Sequence, residues 1–233
     1  MAIFAKAPFA GEVKTRLTPV LRAREAAELA EALLLDTVEV VEGAGLDAVV
    51  AFAPAAGRRA FEQLLGPRRR LIPQGGGDLG TRLDRIMERL AGERRGSVVA
   101  IGTDCPAVDG DHLRAAVQAL GQRDVVLGPA LDGGFYLLGL RRHQPELFRE
   151  VPWSTDATLT TVEARARSAG LTVTRLAAAR DLDSPEDLYA WYAAAREAGL
   201  QETYPRTWSV LHSALPPRRL AALEAVVRGD PER

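Results

Sequence analysis

Short apolar runs alternate with amphipathic stretches along most of the chain. The apolar runs have the length of buried strands and predict strands at residues 1–5, 46–53, 70–72, 97–102, 124–128, 135–140 and 171–176. In the amphipathic stretches apolar residues recur with the helical period, which predicts helices at residues 22–42, 57–65, 79–91, 109–120, 156–169 and 184–197.

The alternation of strand and helix predicts an α/β fold with an open, mostly parallel central sheet and helices on both faces. No helix fits between the runs at 124–128 and 135–140, so at least one strand is expected to be antiparallel. The alternation stops at Gln201. We therefore expect a domain over residues 1–200 and a C-terminal appendage over residues 201–233. The appendage packs on the domain or joins two copies of the chain as a homodimer.

Composition limits the class of protein. The chain has 233 residues, 47% of them hydrophobic, with a net charge of −1, so no overall basic field attracts nucleic acid or an anionic membrane. A single cysteine rules out an internal disulfide and favours a reducing compartment. No apolar run reaches the roughly 18 residues of a transmembrane helix, and the apolar start is too short for a signal peptide. We expect a cytoplasmic protein without a nucleic-acid or membrane partner.

Several loops that follow predicted strands carry residues suited to chemistry. In an open parallel sheet, ligands bind beyond the carboxyl ends of the strands, so these loops are expected to meet at one edge. They contain glycine, acidic and basic residues and lie at residues 4–19, 74–81, 103–106, 129–134 and 181–187. Their common position predicts a ligand site at that edge.

The loop over residues 4–19 concentrates positive charge that suits a phosphate. It contains both lysines of the chain, Lys6 and Lys14, together with Arg16. A lysine ammonium acts as a compact point charge on phosphate, and backbone N–H groups near a helix start can assist it. The loop lacks the P-loop spacing and the dinucleotide-binding glycine pattern. Thr15 either adds a contact to the phosphate or caps a turn. Lys6 either contacts the phosphate or, when no nucleotide is bound, pairs with an acidic residue of the site.

Acidic residues after two strands are candidate ligands of a divalent cation. Asp104 directly follows a buried run, where it either binds Mg²⁺ beside phosphate oxygens or caps the next turn. Asp181 and Asp183 follow the last strand with one residue between them, so they are expected to point to opposite sides, with Asp183 towards the site. Ser184 is expected to cap the following helix. Cys105 reads as a small buried residue rather than a nucleophile.

The segment Asp132-Gly133-Gly134 has two interpretations. Its glycines let a backbone approach a ligand closely, and Asp132 can accept hydrogen bonds from sugar hydroxyls. The same residue types also form hairpin turns, and spacing alone does not separate the two interpretations. Trp153 is expected to belong to the core rather than to an acceptor pocket.

Six motifs in this order resemble one protein family. They are FAKAPFAGEVKTRL, GGDLGTRL, IGTDCP, VVLGPALDGGFYLLGL, VPWST and DLDSPEDL, and together they span roughly residues 1–200. They resemble the DUF2064 family, whose members are named selenodomain-associated transferase 1 or glycosyltransferases and which belongs to the nucleotide-diphospho-sugar transferase (GT-A) superfamily. The resemblance implies a GT-A Rossmann-like sheet with a nucleotide site at its carboxyl edge.

More distant relatives suggest roles for individual residues. The sequence is similar, at greater distance, to guanylyltransferases and sugar-nucleotide pyrophosphorylases, which share a basic loop after the first strand. The resemblance implies phosphate contacts by Lys14, Thr15 and Arg16, and metal binding by Asp104 and Asp183. It also implies that three residues of the glycine-rich loop contact the base, namely Gln74, Gly80 and Thr81. The opening loop departs from the pyrophosphorylases, which have a compact glycine-rich turn in place of its Ala-Pro and Ala-Gly.

Together these features predict an enzyme. We expect a transferase that depends on Mg²⁺ or Mn²⁺ and uses a nucleotide sugar or a nucleoside triphosphate with a small-molecule acceptor. Glycosyl transfer is favoured, with Asp132 deprotonating the acceptor, because the DGGFY segment differs from the guanylyltransferases. The alternative is guanylyltransferase-like nucleotidyl transfer to a phosphorylated acceptor, in which Lys14, Arg16 and the metal neutralise the phosphoryl oxygens. A second alternative is a non-catalytic nucleotide-binding protein.

Overall fold

The computed structural model describes residues 1–94 and 96–229. Within these ranges the chain forms one seven-stranded sheet in the order β3-β2-β1-β4-β6-β5-β7. The strands are β1 (Ala2–Lys6), β2 (Val49–Ala53), β3 (Arg70–Pro73), β4 (Val98–Gly102), β5 (Val125–Pro129), β6 (Phe135–Leu140) and β7 (Val173–Arg175). Neighbouring strands are parallel except around β6, which is antiparallel to β4 and β5. The α/β fold predicted from the sequence, with its antiparallel strand, is confirmed.

Helices connect most of the strands, as the alternating pattern predicts. They are α1 (Ala23–Gly43), α2 (Arg58–Leu65), α3 (Leu79–Arg94), α4 (Gly110–Leu120), α5 (Thr158–Ser168), α6 (Pro185–Glu197), α7 (Leu200–Thr203), α8 (Pro205–Ala214) and α9 (Pro217–Arg228). Asp109 caps α4 by accepting a hydrogen bond from the His112 amide, and Ser184 caps α6 by accepting one from the Asp187 amide. None of the helices in the described part of the chain is both long enough and apolar enough to cross a lipid bilayer.

Helices cover both faces of the sheet because successive strand residues point to opposite sides. In β1, Ala2 packs into the apolar cluster beneath α3 and α5, whereas Ile3 packs into the cluster beneath α1, α2 and α4. In β5, Val125 and Leu127 belong to the first cluster and Val126 to the second. Both sides of these strands are therefore buried, which explains why they read as continuous apolar runs.

The C-terminal segment is helical and packs against the rest of the chain. A third apolar cluster joins α8 and α9 to α1 and α6, with Leu29 and Leu211 among its fully buried members. Residues 220–227 have a helical period in the sequence and lie inside α9, whereas no helical pattern predicts α8. Pro205 begins α8, where its fixed φ suits the first helical turn. Residues 230–233 of the expected appendage lie outside the described residues, and the homodimer stays a prediction.

A buried carboxylate in α1 holds the start of α8. Asp36 is fully buried and accepts hydrogen bonds from the Thr207 amide at 2.8 Å and from Arg206 Nη1 at 3.1 Å. Arg206 also pairs with Glu39, one turn further along the surface of α1. A buried carboxylate is tolerated only where hydrogen bonds and opposite charge compensate it, so this contact fixes α8 in one position.

We expect Asp36→Ala to lower the free energy of unfolding by about 1–3 kcal/mol, because the buried Thr207 amide loses its acceptor. Glu39→Ala is the matched control, since it removes the other carboxylate partner of Arg206. Glu39 is 52% exposed, so its loss is expected to cost less than about 1 kcal/mol. Urea unfolding of both variants measures the difference, and equal losses would contradict the role given to the Thr207 amide.

Candidate functional site

Three loops from distant parts of the chain meet at the carboxyl edge of the parallel strands. The loop after β1 contributes Lys14, the loop after β4 contributes Asp104, and the loop after β7 contributes Asp183. The Leu182 amide donates a hydrogen bond of 2.7 Å to the Asp104 carbonyl, which ties the second loop to the third. The edge predicted from the sequence is therefore the place where basic and acidic side chains converge.

The side chain of Lys14 lies at the centre of this group. Its Nζ lies 2.5 Å from Asp104 Oδ1 and 2.9 Å from Asp183 Oδ1, and it donates a further hydrogen bond of 2.8 Å to the Leu182 carbonyl. An ammonium has three N–H donors, and these three oxygens use all of them. The side chain is only 5% exposed, and its backbone adopts the left-handed conformation with φ 49° and ψ 35°. Such a backbone is unfavourable for lysine, and unfavourable backbone conformations cluster at functional sites.

The ammonium of Lys14 is charged in this environment. Burial by itself lowers the pKa of Lys14, but the adjacent Asp104 and Asp183 carboxylates outweigh that effect and hold the pKa above its ordinary value. A buried ammonium with two carboxylates is a paired charge, which is the condition under which a protein tolerates it. The positive charge at this edge is therefore permanent at physiological pH.

The two carboxylates are less buried than the lysine they share. The side chain of Asp104 is 49% exposed and that of Asp183 is 40% exposed. Each therefore meets Lys14 on one side and solvent on the other. Asp104 and Asp183 can therefore offer carboxylate oxygens to a ligand from solution, while the Lys14 ammonium lies behind them inside the protein.

Asp181 has a different partner from Asp183. Its carboxylate accepts a hydrogen bond from the thiol of Cys105, a buried residue, so the two aspartates point apart as the sequence predicts. The reason is not strand alternation, because β7 ends at Arg175 and both aspartates lie in the loop beyond it. The loop conformation, rather than a pleat, separates them.

Burial and neighbouring charges keep the Cys105–Asp181 pair out of nucleophilic chemistry. Burial raises the pKa of Asp181 to about 6. The hydrogen bond from Cys105 lowers this pKa, whereas the nearby carboxylates of Asp104, Asp132 and Asp183 raise it further. Burial and the nearby Asp181 also raise the pKa of the Cys105 thiol far above its usual range. The thiol therefore stays protonated, and Cys105 is a buried structural residue, as predicted.

The other basic residues of the opening loop remain at the surface. Lys6, Thr15 and Arg16 are exposed, and neither Lys6 nor Arg16 forms an ion pair with any residue of ranges 1–94 and 96–229. The Thr15 carbonyl accepts a hydrogen bond of 2.7 Å from the Thr18 hydroxyl in a local turn. The alternative in which Lys6 pairs with a site carboxylate is wrong for this structure, because Lys14 takes that position from its left-handed backbone.

Gln74 connects the glycine-rich loop to the sheet. Its side chain is buried. The side-chain Nε2 donates hydrogen bonds to the Ala51 carbonyl at 2.7 Å and to the Ala5 carbonyl at 3.3 Å. The side-chain Oε1 accepts a hydrogen bond from Arg82. Arg85, which the sequence pattern does not single out, donates to the Gln74 carbonyl at 2.6 Å. The structure gives Gln74 a supporting role beneath the loop, and the contact with a base stays a prediction.

Thr81 and Gly80 also have local contacts that account for their presence. Asp78 caps α3, because its Oδ1 accepts hydrogen bonds from the Thr81 amide at 2.8 Å and the Thr81 hydroxyl at 2.6 Å. A Cβ on Gly80 would lie 2.0 Å from Trp153 Nε1, so glycine is needed for close packing there. Trp153 packs in turn against Phe135 and lies partly buried against the core cluster, which supports the core interpretation.

The Asp132-Gly133-Gly134 segment forms a tight turn between β5 and β6. Asp132 Oδ1 accepts a hydrogen bond of 2.9 Å from the Gly134 amide, and Gly133 has a φ of 91°. A Cβ on Gly133 would lie 2.3 Å from the Asp156 carbonyl oxygen, so the turn packs tightly before α5. The turn interpretation thus has direct structural support, while Asp132 remains exposed beside the acidic group and close enough to influence Asp181.

Several solved structures have the same fold. A candidate nucleotide-diphospho-sugar transferase from Desulfovibrio desulfuricans G20 is 28% identical with a TM-score of 0.86, and the match covers 98% of this chain and 96% of that one. A nucleotidyl transferase from Methanothermobacter thermautotrophicus is 18% identical with a TM-score of 0.54, covering 86% of this chain and 97% of that one. The bifunctional IspDF of Campylobacter jejuni is 14% identical with a TM-score of 0.52, covering 80% of this chain and 52% of that one.

The comparison with families of sequences is more specific. No curated protein matches the chain. The family model described as an uncharacterized protein conserved in bacteria (DUF2064) matches residues 35–155. This match covers more than half of the sequence and includes Asp104 and the segment from Asp132 to Gly134. The chain belongs to the DUF2064 family.

Proposed function

We propose that this protein is a nucleotide-dependent transferase that moves a sugar from a nucleoside diphosphate sugar to a hydroxyl of a small-molecule acceptor. The observation that carries the proposal is the convergence of Lys14, Asp104 and Asp183 at the carboxyl edge of the sheet. Open α/β sheets bind their ligands at this edge, and a diphosphate requires positive charge and metal-binding oxygens there. Similarity to the candidate nucleotide-diphospho-sugar transferase supports the same class of donor.

Asp104 and Asp183 are the proposed ligands of Mg²⁺ or Mn²⁺. Both supply hard oxygen donors, both are partly exposed, and one cation, the Lys14 ammonium, already contacts an oxygen of each. Among the described residues, no group of three or more acidic, histidine or cysteine side chains is arranged to hold a metal. Water and donor phosphates would complete the coordination, as Mg²⁺ prefers. When bound, the metal supplies positive charge to the departing nucleoside diphosphate.

The exposed basic residues of the opening loop are proposed to bind the phosphates of the donor. Lys6 and Arg16 have solvent-exposed side chains, so they can reach an incoming diphosphate without breaking an ion pair to a described residue. Thr15 lies beside Arg16 in the same exposed turn and can add a hydroxyl. Positively charged side chains beside the phosphoryl oxygens stabilise the negative charge of the departing nucleoside diphosphate as the glycosidic bond breaks.

Asp132 is proposed to accept the proton of the acceptor hydroxyl. The Gly134 amide holds one of its carboxylate oxygens, which fixes the orientation of the group, and the residue is exposed to solvent. A carboxylate held in this way can accept the proton as the hydroxyl attacks the sugar. Contact of Gly133 and Gly134 with the donor stays a prediction, because their Cβ positions face the Asp156 backbone and the Asp132 side chain.

Thermal-shift measurements with nucleotide sugars and nucleoside triphosphates, each with and without Mg²⁺, test the proposal. We expect at least one nucleotide sugar to raise the Tm by several degrees, and only with Mg²⁺, because ligand at about 100 times its Kd adds about 2.7 kcal/mol of stability. Binding of triphosphates but not of nucleotide sugars would replace glycosyl transfer with nucleotidyl transfer. Nucleotide binding indifferent to metal would contradict both and indicate a non-catalytic binding protein.

A further inference from the structure

The two carboxylates proposed to hold a metal already share a cation that belongs to the protein. The oxygen of Asp104 and the oxygen of Asp183 that face inward are the same atoms that contact Lys14 Nζ, at 2.5 Å and 2.9 Å. The third donor of the ammonium is used by the Leu182 carbonyl. No N–H of Lys14 is left for a phosphate in this arrangement.

A divalent cation that bound both of these oxygens would have to displace the ammonium. Mg²⁺ requires its oxygen ligands at about 2.0–2.1 Å, whereas Lys14 Nζ lies within hydrogen-bonding distance of the same two oxygens. The two positive charges would also repel one another strongly at such separations. Occupation of the site by the metal and by the ammonium is therefore mutually exclusive at these two atoms.

The backbone around Lys14 is anchored while its side chain can pivot. Val13 and Leu17, on either side of it, are buried, and the Leu17 amide donates a hydrogen bond of 2.9 Å to the Lys14 carbonyl. The side chain has four rotatable bonds and ends in a single charge. Rotation of those bonds would move the ammonium away from the carboxylates while the backbone of the loop stays in place.

A displaced ammonium needs a new anionic partner, because leaving a charge unpaired next to a protein core is costly. A metal ion arriving alone does not bring one. A metal ion arriving with a diphosphate does, since the phosphate oxygens can accept the hydrogen bonds that Asp104 and Asp183 release.

We propose that Lys14 is a resident counter-ion that keeps divalent cations out of the site until a nucleotide brings phosphate to receive its ammonium. The inference rests on the proposed function. It makes metal and nucleotide bind cooperatively, because each lowers the free-energy cost of the rearrangement that the other needs, and such coupling is reciprocal. In this view Lys14 is a switch between carboxylate and phosphate rather than a fixed member of a phosphate site.

The first test titrates the wild-type protein and the Lys14→Met and Arg24→Met variants with Mn²⁺ in the absence of nucleotide, and electron paramagnetic resonance measures the free Mn²⁺. We expect Lys14→Met to bind Mn²⁺ at least tenfold more tightly than the wild type, because two carboxylates lose their built-in cation. Arg24→Met removes one positive charge from a side chain of α1 that is 89% exposed and has no part in the site, and it is expected to leave the Mn²⁺ affinity unchanged within about twofold.

A second test uses the wild-type chain and does not depend on whether a variant folds. The chain has only two lysines, so reductive methylation followed by mass spectrometry reports on Lys14 with Lys6 as an internal standard. Without Mn²⁺ we expect Lys14 to react at least tenfold more slowly than Lys6, because it is buried and paired. Mn²⁺ concentrations high enough to occupy the site are expected to raise the reactivity of Lys14 and leave Lys6 unchanged.

Each outcome of these tests has a definite meaning. Wild type and Lys14→Met binding Mn²⁺ equally well would overturn the counter-ion role and leave the proposed metal site standing. Lys14 staying protected while Mn²⁺ is bound would overturn the mutual exclusion. Failure of Lys14→Met to bind Mn²⁺ would overturn this inference, whereas the function on which it rests is overturned by nucleotide binding that is indifferent to metal.

Discussion

Asp104→Asn is expected to lower kcat/KM for the nucleotide sugar by about 10²–10³-fold, equivalent to about 2.7–4 kcal/mol of transition-state stabilisation. Asparagine keeps the shape of the side chain and can still accept a hydrogen bond from Lys14, but it removes the charge that the proposed metal requires. The loss is therefore expected in metal-dependent turnover rather than in folding. Initial rates at several Mg²⁺ concentrations, with the donor identified by the thermal-shift panel, measure it.

The control for this variant is Asp124→Asn, which makes the same change at the opposite edge of the sheet. Asp124 precedes β5 and contacts Thr172, and asparagine can still accept from the Thr172 hydroxyl. We expect its turnover to stay within about twofold of wild type. Asp104 is 49% exposed and Asp183 still pairs with Lys14 in the variant, so the variant should fold with a Tm close to that of the wild type. Unchanged turnover by Asp104→Asn would refute the role proposed for Asp104 as a metal ligand in the reaction.

Gly133→Ala is expected to lower the free energy of unfolding by about 3 kcal/mol or more. The backbone there has a φ of 91°, which an alanine adopts only at a cost, and the new Cβ would lie 2.3 Å from the Asp156 carbonyl oxygen. The nearest atoms belong to the backbone, so no side chain can rotate to relieve the contact. Urea unfolding of wild type and variant gives the loss directly.

Gly134→Ala is the matched control, one residue further along the same turn. The three atoms nearest to its added Cβ belong to the Asp132 side chain, the first at 3.1 Å, and its φ is not positive. We expect a loss of about 1 kcal/mol, close to the average for a point mutation. Similar losses for the two variants would show that the turn relaxes around residue 133. The close packing of this turn on the chain before α5 would then not be rigid.

The centre of the sheet could be predicted from the sequence because its strands, such as β5 and β6, are buried on both faces. Runs such as 97–102 and 135–140 are apolar at nearly every position, and helix starts at Asp109 and Ser184 carry their own capping signals. Helix α8 could not be predicted in the same way. Its stability depends on packing against α1 and on the buried Asp36, which are contacts between residues far apart in the sequence.

The site was predictable in place but not in its internal contacts. Lys14, Asp104 and Asp183 each lie in a loop that follows a strand. This was enough to predict that they meet at one edge of the sheet, because the carboxyl ends of parallel strands lie together. Nothing in the sequence indicates the left-handed backbone that turns Lys14 inward, so the pattern assigns it to phosphate and gives the carboxylate contact to Lys6. Gly80 and Gln74 show the same limit, since Trp153 and the strand carbonyls that require them lie elsewhere in the chain.

The contact between Lys14 and Asp183 joins residues that are 169 positions apart in the sequence. The site therefore exists only after the first and the last parts of the sheet domain have come together, and local unfolding of either part removes it. A ligand that binds there is linked to the folding equilibrium of the whole domain rather than to that of one loop. Binding at this edge should accordingly slow amide hydrogen exchange in β1 and α6 together, since both must stay folded for the site to persist.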